Sequence, residues 1–212
     1  MIRLAPLAAR KCGGMTTETG AQMTVPAITI FDLEFTAWEC SMASHWLRPG
    51  EFKEVVQIGA LRVDANSFKV LGSLDLLVRP RINARLSPYL TQLTGITQAR
   101  LDAQGLDFAQ AYARFLAFAD AGPIAAFGHD EWVLEENLRL YGIADAPPLP
   151  AFMDLRPWFA DRGVDPRGLH SCDIGPKMGV PFSGQPHNAL DDVRSIVAGM
   201  AAIAARGAVA AA

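Results

Sequence analysis

Cysteine is scarce in this chain, and its placement builds no framework. Cys12, Cys40 and Cys172 are odd in number and far apart, with no C-x-x-C pair. That argues against a disulfide scaffold or a structural zinc site and for a reducing, cytoplasmic setting. A surplus of positive charge is missing too: 19 Lys and Arg against 22 Asp and Glu leave a formal net charge of −3. No overall basic character advertises a polyanion partner, so any nucleic-acid binding has to rely on local basic clusters or on bound cations. No apolar run reaches the length needed to span a bilayer, so no membrane partner is expected. Internal repeats are absent, and protein partners are unspecified. What is present in quantity is hydrophobic surface, 50% of 212 residues, enough for one globular domain with a proper core.

The start, "MIRLAPLAARKCGGM", is basic, Ala-rich and acid-free up to Glu18. It reads as a disordered leader over residues 1–26, with Met15 or Met23 as alternative starts, or as an organelle-targeting segment. A single domain is expected over 27–205, followed by an Ala-rich tail over 206–212.

Three strand-like runs open the domain: Ala27 to Phe35, Val55 to Val63 and Val70 to Val78. "DANSFK" joins the second and third as a hairpin turn. Between the first two lies "TAWECSMASHWLRPGEFKE", a polar and aromatic loop of unusual length. Ser87 before Pro88, and Thr97, are helix starts. Phe108, Tyr112, Phe115, Leu116 and Ala119 recur at helical spacing. "IAAF" and "AFMD" read as short strands. Helices are expected over Asp130 to Tyr141, around "RPWFADRG", weakly in "GLHSCDIGPKMG", and over Asn188 to Ala205. The order implies an α/β or α+β domain with one sheet flanked by helices.

Four acids fall on stripes that should be apolar. In "ITIFDLEFT", Asp32 and Glu34 share the strand face of Ile28 and Ile30, where two like charges repel unless something compensates. Asp130 lies on the stripe of Leu134, Leu138 and Tyr141, whereas Glu131, Glu135 and Glu136 look solvated. Asp192 lies within the stripe of Ala189, Val193, Ile196, Val197 and Met200, while its neighbour Asp191 lines up with Ser195 and Ala198. A single acid near a helix start has an ordinary capping explanation. Four inward acids compose a strongly negative pocket, and two divalent cations, Mg²⁺ or Mn²⁺, are the economical remedy. Such a pair suits phosphoryl chemistry. His187, with an unperturbed pKa near ~6.5, can take a proton from water.

These residues resemble the DEDDh family of 3′–5′ exonucleases, which have the RNase H-like fold. "FDLEF" resembles the first motif, D-x-E, and "HNALDD" matches the third, H-x-A-x-x-D, through His187, Ala189 and Asp192. "FGHDEWVLEENL" fits the looser second motif with Asp130 and Leu134, one residue tighter after its Gly than W-G-x-x-D. "VVQIGALRVD", "LLVRPRINARLSPYLTQLTGIT" and "MGVPFSGQPHNALDDVRSI" are similar to the branch of small-RNA-trimming exonucleases and their bacterial relatives. The resemblance implies a mixed five-stranded sheet flanked by helices, its first three strands an antiparallel meander. It implies that Asp32, Glu34, Asp130 and Asp192 ligate two metal ions and that His187 is the general base. It also implies release of nucleoside 5′-monophosphates from the 3′ end of RNA or single-stranded DNA.

By the same resemblance, Thr36 and the segment Leu93, Thr94, Gly95 and Ile96 contact the terminal nucleotide. Arg79, Arg81 and Arg85 form the densest basic cluster, either a grip on backbone phosphates or a solvated turn. Trp38 and Trp46 either stack on a terminal base or cover the core. Two other functions share these features. One is a catalytically inactive nucleic-acid-binding module on the same fold; the other is a metal enzyme for small nucleotides or short oligonucleotides.

Overall fold

The structure, a computed structural model, describes residues 26–210. The expected leader lies, up to residue 25, outside the described residues. Strand β1 (Ala27–Phe35) runs through the middle of a five-stranded sheet, because its odd and even residues are apolar alike and both faces are covered. Strands β2 (Val55–Asp64) and β3 (Val70–Leu77) continue from it as an antiparallel meander. The hairpin turns on Asp64, whose carboxylate accepts the main-chain N–H groups of Asn66 and Ser67. Val78, expected to end β3, forms a lone bridge to Leu106 instead. On the other side of β1 lie two short parallel strands, β4 (Ile124–Ala126) and β5 (Phe152–Asp154), giving the order β3-β2-β1-β4-β5.

The helices are α1 (Ser41–Ser44), α2 (Pro88–Thr94), α3 (Gln98–Gln104), α4 (Phe108–Ala119), α5 (Asp130–Leu140), α6 (Leu155–Ala160), α7 (Ile174–Lys177) and α8 (Ala189–Ala210). Both expected starts are caps: the Ser87 hydroxyl accepts the Leu90 N–H and the Thr97 hydroxyl accepts the Arg100 N–H. The weak helix expected around residue 174 is a 3₁₀ turn, Ser171–Asp173, followed by the single-turn α7. The last helix runs five residues beyond Ala205, since alanine is the best helix former.

Each face of the sheet has its own core. Phe31, Leu33, Ile58 and Ala60 pack under α4 and α5. Ile28, Ile30, Leu61 and Val63 pack under α6, α7 and α8. Asp32 and Glu34 continue the second face, so they point toward the helix that carries Asp192.

Candidate active site

Strand β1 delivers Asp32 and Glu34, which are 9% and 8% exposed, at the end of its apolar face. Their register partners on β2 bring α8 to them. Gly59, opposite Asp32, has no side chain, and a Cβ there would lie 2.2 Å from the Leu190 N. Gln57, opposite Glu34, is fully buried; its Oε1 accepts the Ala189 N–H at 3.0 Å and its Nε2 donates to Asp75. The first turn of α8 is thereby pinned against the two acids. Asp192 in that turn is 3% exposed, and its Oδ1 is buried without a hydrogen-bond partner. Asp191 instead accepts the Gln185 N–H and pairs with Arg194. The helical stripe therefore names the inward residue correctly.

Asp130 opens α5, directly beyond the end of β4. The tighter spacing after Gly128 still brings it within the field of Asp32 and Glu34. Its neighbour Glu131 is a correction: expected in solvent, it is 8% exposed and accepts from His129 Nδ1 at 3.0 Å. The adjoining imidazole and the crowded first turn hold it in.

His187, half-buried and in a left-handed backbone conformation, completes the arrangement. Glu34, His187 and Asp192 each offer one ligand atom within 4.8 Å of the others. The ring of His170 stands 5.8 Å from that of His187, and Ser171 donates its hydroxyl to Asp32 at 2.8 Å. Neither residue is legible in a sequence motif, because a long loop brings them in.

The electrostatics show four carboxylates held too close and too dry. Burial, offset partly by Ser171, pushes Asp32 up to about 7. Burial and then the charge of Asp32 push Asp192 up to about 8. Glu34 and Asp130 are raised well above the usual range, by burial first and then by their acidic neighbours. Burial and then His170 lower His187, which keeps its ring neutral near pH 7. A donor set of carboxylate oxygens, one of them an orphan, fits hard divalent cations.

Stability carries the same signature. Each of the four acids binds its proton more tightly in the folded chain than unfolded, where carboxylates titrate near ~4. That contribution is complete below pH ~4 and is lost as pH rises through about 7 for Asp32 and about 8 for Asp192. Metal-free protein is expected to melt at progressively lower temperature from about pH 5 to pH 8. Mg²⁺ or Mn²⁺ should raise the melting temperature more at the higher pH. Calorimetry with and without EDTA checks both; equal stabilisation at the two pH values would contradict a forced acidic cluster.

A cavity of about 440 Å³ opens beside the acids, walled by Trp38, Met42, Trp46, Tyr89, Leu93 and His187, with Asp32, Glu34 and Asp192 at its floor. A titratable histidine, an acidic floor and an aromatic-walled pocket of nucleotide size stand at the end of the central strand. Over residues 29–199 the sequence matches the family model described as Exonuclease (RNase_T). The chain belongs to this exonuclease family.

Exonuclease relatives agree with it in sequence and in fold. It is 25% identical over 181 residues to the "3'-5' exoribonuclease 1" of Rattus norvegicus, covering 80% of this chain and 50% of the relative. It is 23% identical over 167 residues to "ERI1 exoribonuclease 3" of Bos taurus, covering 73% and 49%. The chain thus spans about half the length of these curated relatives. Among solved structures, the nuclease domain of 3'hExo, a DEDDh family member bound to rAMP, superposes with a TM-score of 0.72 at 22% identity, covering 88% of this chain and 96% of that one. The zinc-bound E. coli ExoI–ssDNA complex gives a TM-score of 0.61 at 19% identity, covering 85% and 41%. The fold is the RNase H-like exonuclease fold.

The expected substrate contacts of this family member divide. Leu93 lines the cavity. Thr36 does not: it is 2% exposed, with its hydroxyl donating to Phe52 O and accepting the Glu54 N–H. Thr94, the last residue of α2, and Ile96 just past it are buried, and Gly95 between them is the left-handed cap of that helix. Arg79 and Arg81 are exposed but outside the cavity wall; the Arg81 guanidinium lies 5.2 Å from the Tyr141 ring, past the far end of α5. Of the two tryptophans, Trp46 covers the core and also faces the cavity. It donates to Thr36 O, meets Phe35 edge-on and forms one wall of the cavity.

Proposed function

We propose that this chain is a metal-dependent 3′–5′ exonuclease that hydrolyses RNA or single-stranded DNA from the 3′ end and releases nucleoside 5′-monophosphates. The observation that carries the reading is the convergence of Asp32, Glu34, Asp130 and Asp192 beside His187, with the buried Asp192 Oδ1 left without a partner. A catalytically inactive binding module would have no cause to keep four mutually repelling acids.

Asp32, Glu34, Asp130 and Asp192 would hold two divalent cations, Mg²⁺ or Mn²⁺. When bound, these supply countercharge for the scissile phosphate and a lowered pKa for the attacking water. His187, kept neutral by burial and by His170, accepts the proton of that water. The cavity receives one terminal nucleotide beside Trp38 and Leu93, and its limited volume favours a chain end over an interior segment. The relatives named as exoribonucleases favour RNA, and the ExoI–ssDNA complex keeps single-stranded DNA in view. A cytoplasmic, reducing setting is consistent with the free thiols Cys40 and Cys172. Among the described residues no helix is long and apolar enough to cross a membrane.

Matched RNA and DNA strands, single and double stranded, test the reading. Mg²⁺ or Mn²⁺ should permit stepwise shortening from the 3′ end, and EDTA should abolish it. His187→Ala should lower turnover by ~10²–10⁴. Calorimetric Mn²⁺ titration of that variant should match wild type. Collapse of metal affinity would make His187 a ligand, and undiminished turnover would remove it from the reaction.

A further inference from the structure

On the side of the acids away from the cavity, the structure holds a second set of aromatic and basic groups. The cavity wall includes Asp32, Glu34 and Asp192 but not Asp130, which lies outside it. Beyond Asp130 stands Trp132, 59% exposed, with its ring stacked on His129 at 3.9 Å and 3°. The stack is held in place, since His129 Nδ1 meets Glu131 at 3.0 Å and Nε2 lies 3.7 Å from Asp154. Asp154 ends β5 and grips Arg156 through Nε and Nη2, so that pairing leaves Nη1 disengaged. Arg156 and Asp130 are close enough for each to stabilise the other's charge.

A phosphodiester lying across the acids has one nucleotide on each side. If the terminal nucleotide fills the cavity, the nucleotide upstream of it lies outside, where Asp130 is the acid that the cavity does not line. We propose that Trp132 and Arg156 form a shelf for the nucleotide immediately upstream of the scissile bond, the indole stacking on its base and the guanidinium contacting its phosphate. This rests on the exonuclease reading above and extends it to a second nucleotide. A ring already immobilised by His129 loses little freedom when a base stacks on it, and stacking accepts any base. Contact at this position would select a single-stranded end, because a paired base hides its face in the helix.

The experiment is a binding cycle with the full chain in Ca²⁺. Dissociation constants are measured by anisotropy for 5′-fluorescein single-stranded RNA, either intact or carrying an abasic residue second from the 3′ end. Wild type should bind the abasic strand about tenfold more weakly, the scale of one base–aromatic stack. Trp132→Ala should bind the intact strand about tenfold more weakly and should not distinguish the two strands. Trp132→Phe, which keeps a stacking face, should retain most of the discrimination. A Trp132→Ala protein that still discriminates would overturn the shelf, as would a wild type that does not. Shortening of RNA in Mg²⁺ or Mn²⁺ is scored separately. Failure of the exonuclease reading would appear there and not in the cycle.

Discussion

Asp192→Asn should turn over a 3′-labelled strand about 10³-fold more slowly than wild type, a loss equivalent to about 4 kcal/mol of transition-state stabilisation. Asp191→Asn should stay within about threefold. The two positions are adjacent and chemically identical, so the contrast isolates geometry. Asp192 faces Asp32 from a buried turn with an oxygen that no protein group satisfies. Asp191 faces the loop before His187, where an amide oxygen would still accept the Gln185 N–H. Asn at 192 has the same shape but no charge, and it should lower Mn²⁺ affinity in calorimetry together with turnover. Equal effects at the two positions would remove the distinction between the inward and outward acids.

Glu54→Ala should destabilise the fold by about 3–5 kcal/mol, the usual cost of removing one partner from a buried charged network. Glu54 is fully buried, and its carboxylate accepts the main-chain N–H groups of Arg81, Ile82 and Asn83 together with the Tyr141 hydroxyl. Its own main chain pairs with Thr36, just beyond the acids of β1. One residue thus ties the loop after β3 and the end of α5 through its side chain and the end of β1 through its main chain. Alanine leaves the Ile82 and Asn83 N–H groups and the Tyr141 hydroxyl without an acceptor, and the Arg81 N–H with only the Tyr141 oxygen at 3.4 Å. Glu54→Gln keeps one acceptor oxygen and should cost about half as much. Urea unfolding with an unchanged slope reads the difference directly. A Glu54→Ala midpoint close to wild type would show that water replaces the carboxylate.

Glu54 also marks a limit of the sequence. It lies in "GEFKE", among polar residues that read as loop, and nothing local distinguishes it from a solvated acid. Its partners are main-chain groups 27 to 29 positions away and a phenol 87 positions away. Glu131 misled for the same reason. On a helix wheel it falls outside the apolar stripe, yet His129 and the packing around β5 bury it. Thr36, expected by resemblance to contact the terminal nucleotide, has its hydroxyl engaged by the Phe52 carbonyl and the Glu54 amide.

By itself the sequence determined whatever rests on period and spacing. Alternation along Ile28 to Phe35 put Asp32 and Glu34 on one face, and the helical stripe separated Asp192 from Asp191, because side-chain direction follows chain geometry alone. The capping residues Ser87 and Thr97 and the hairpin of β2 and β3 are local in the same sense. Tertiary structure alone decided what depends on groups far apart in the chain. Gln57 and Gly59 seat α8 against β1, Ser171 and His170 arrive from a distant loop, and His129 meets Asp154 at the end of β5. Those contacts have no period, since they arise where separate elements close on one another.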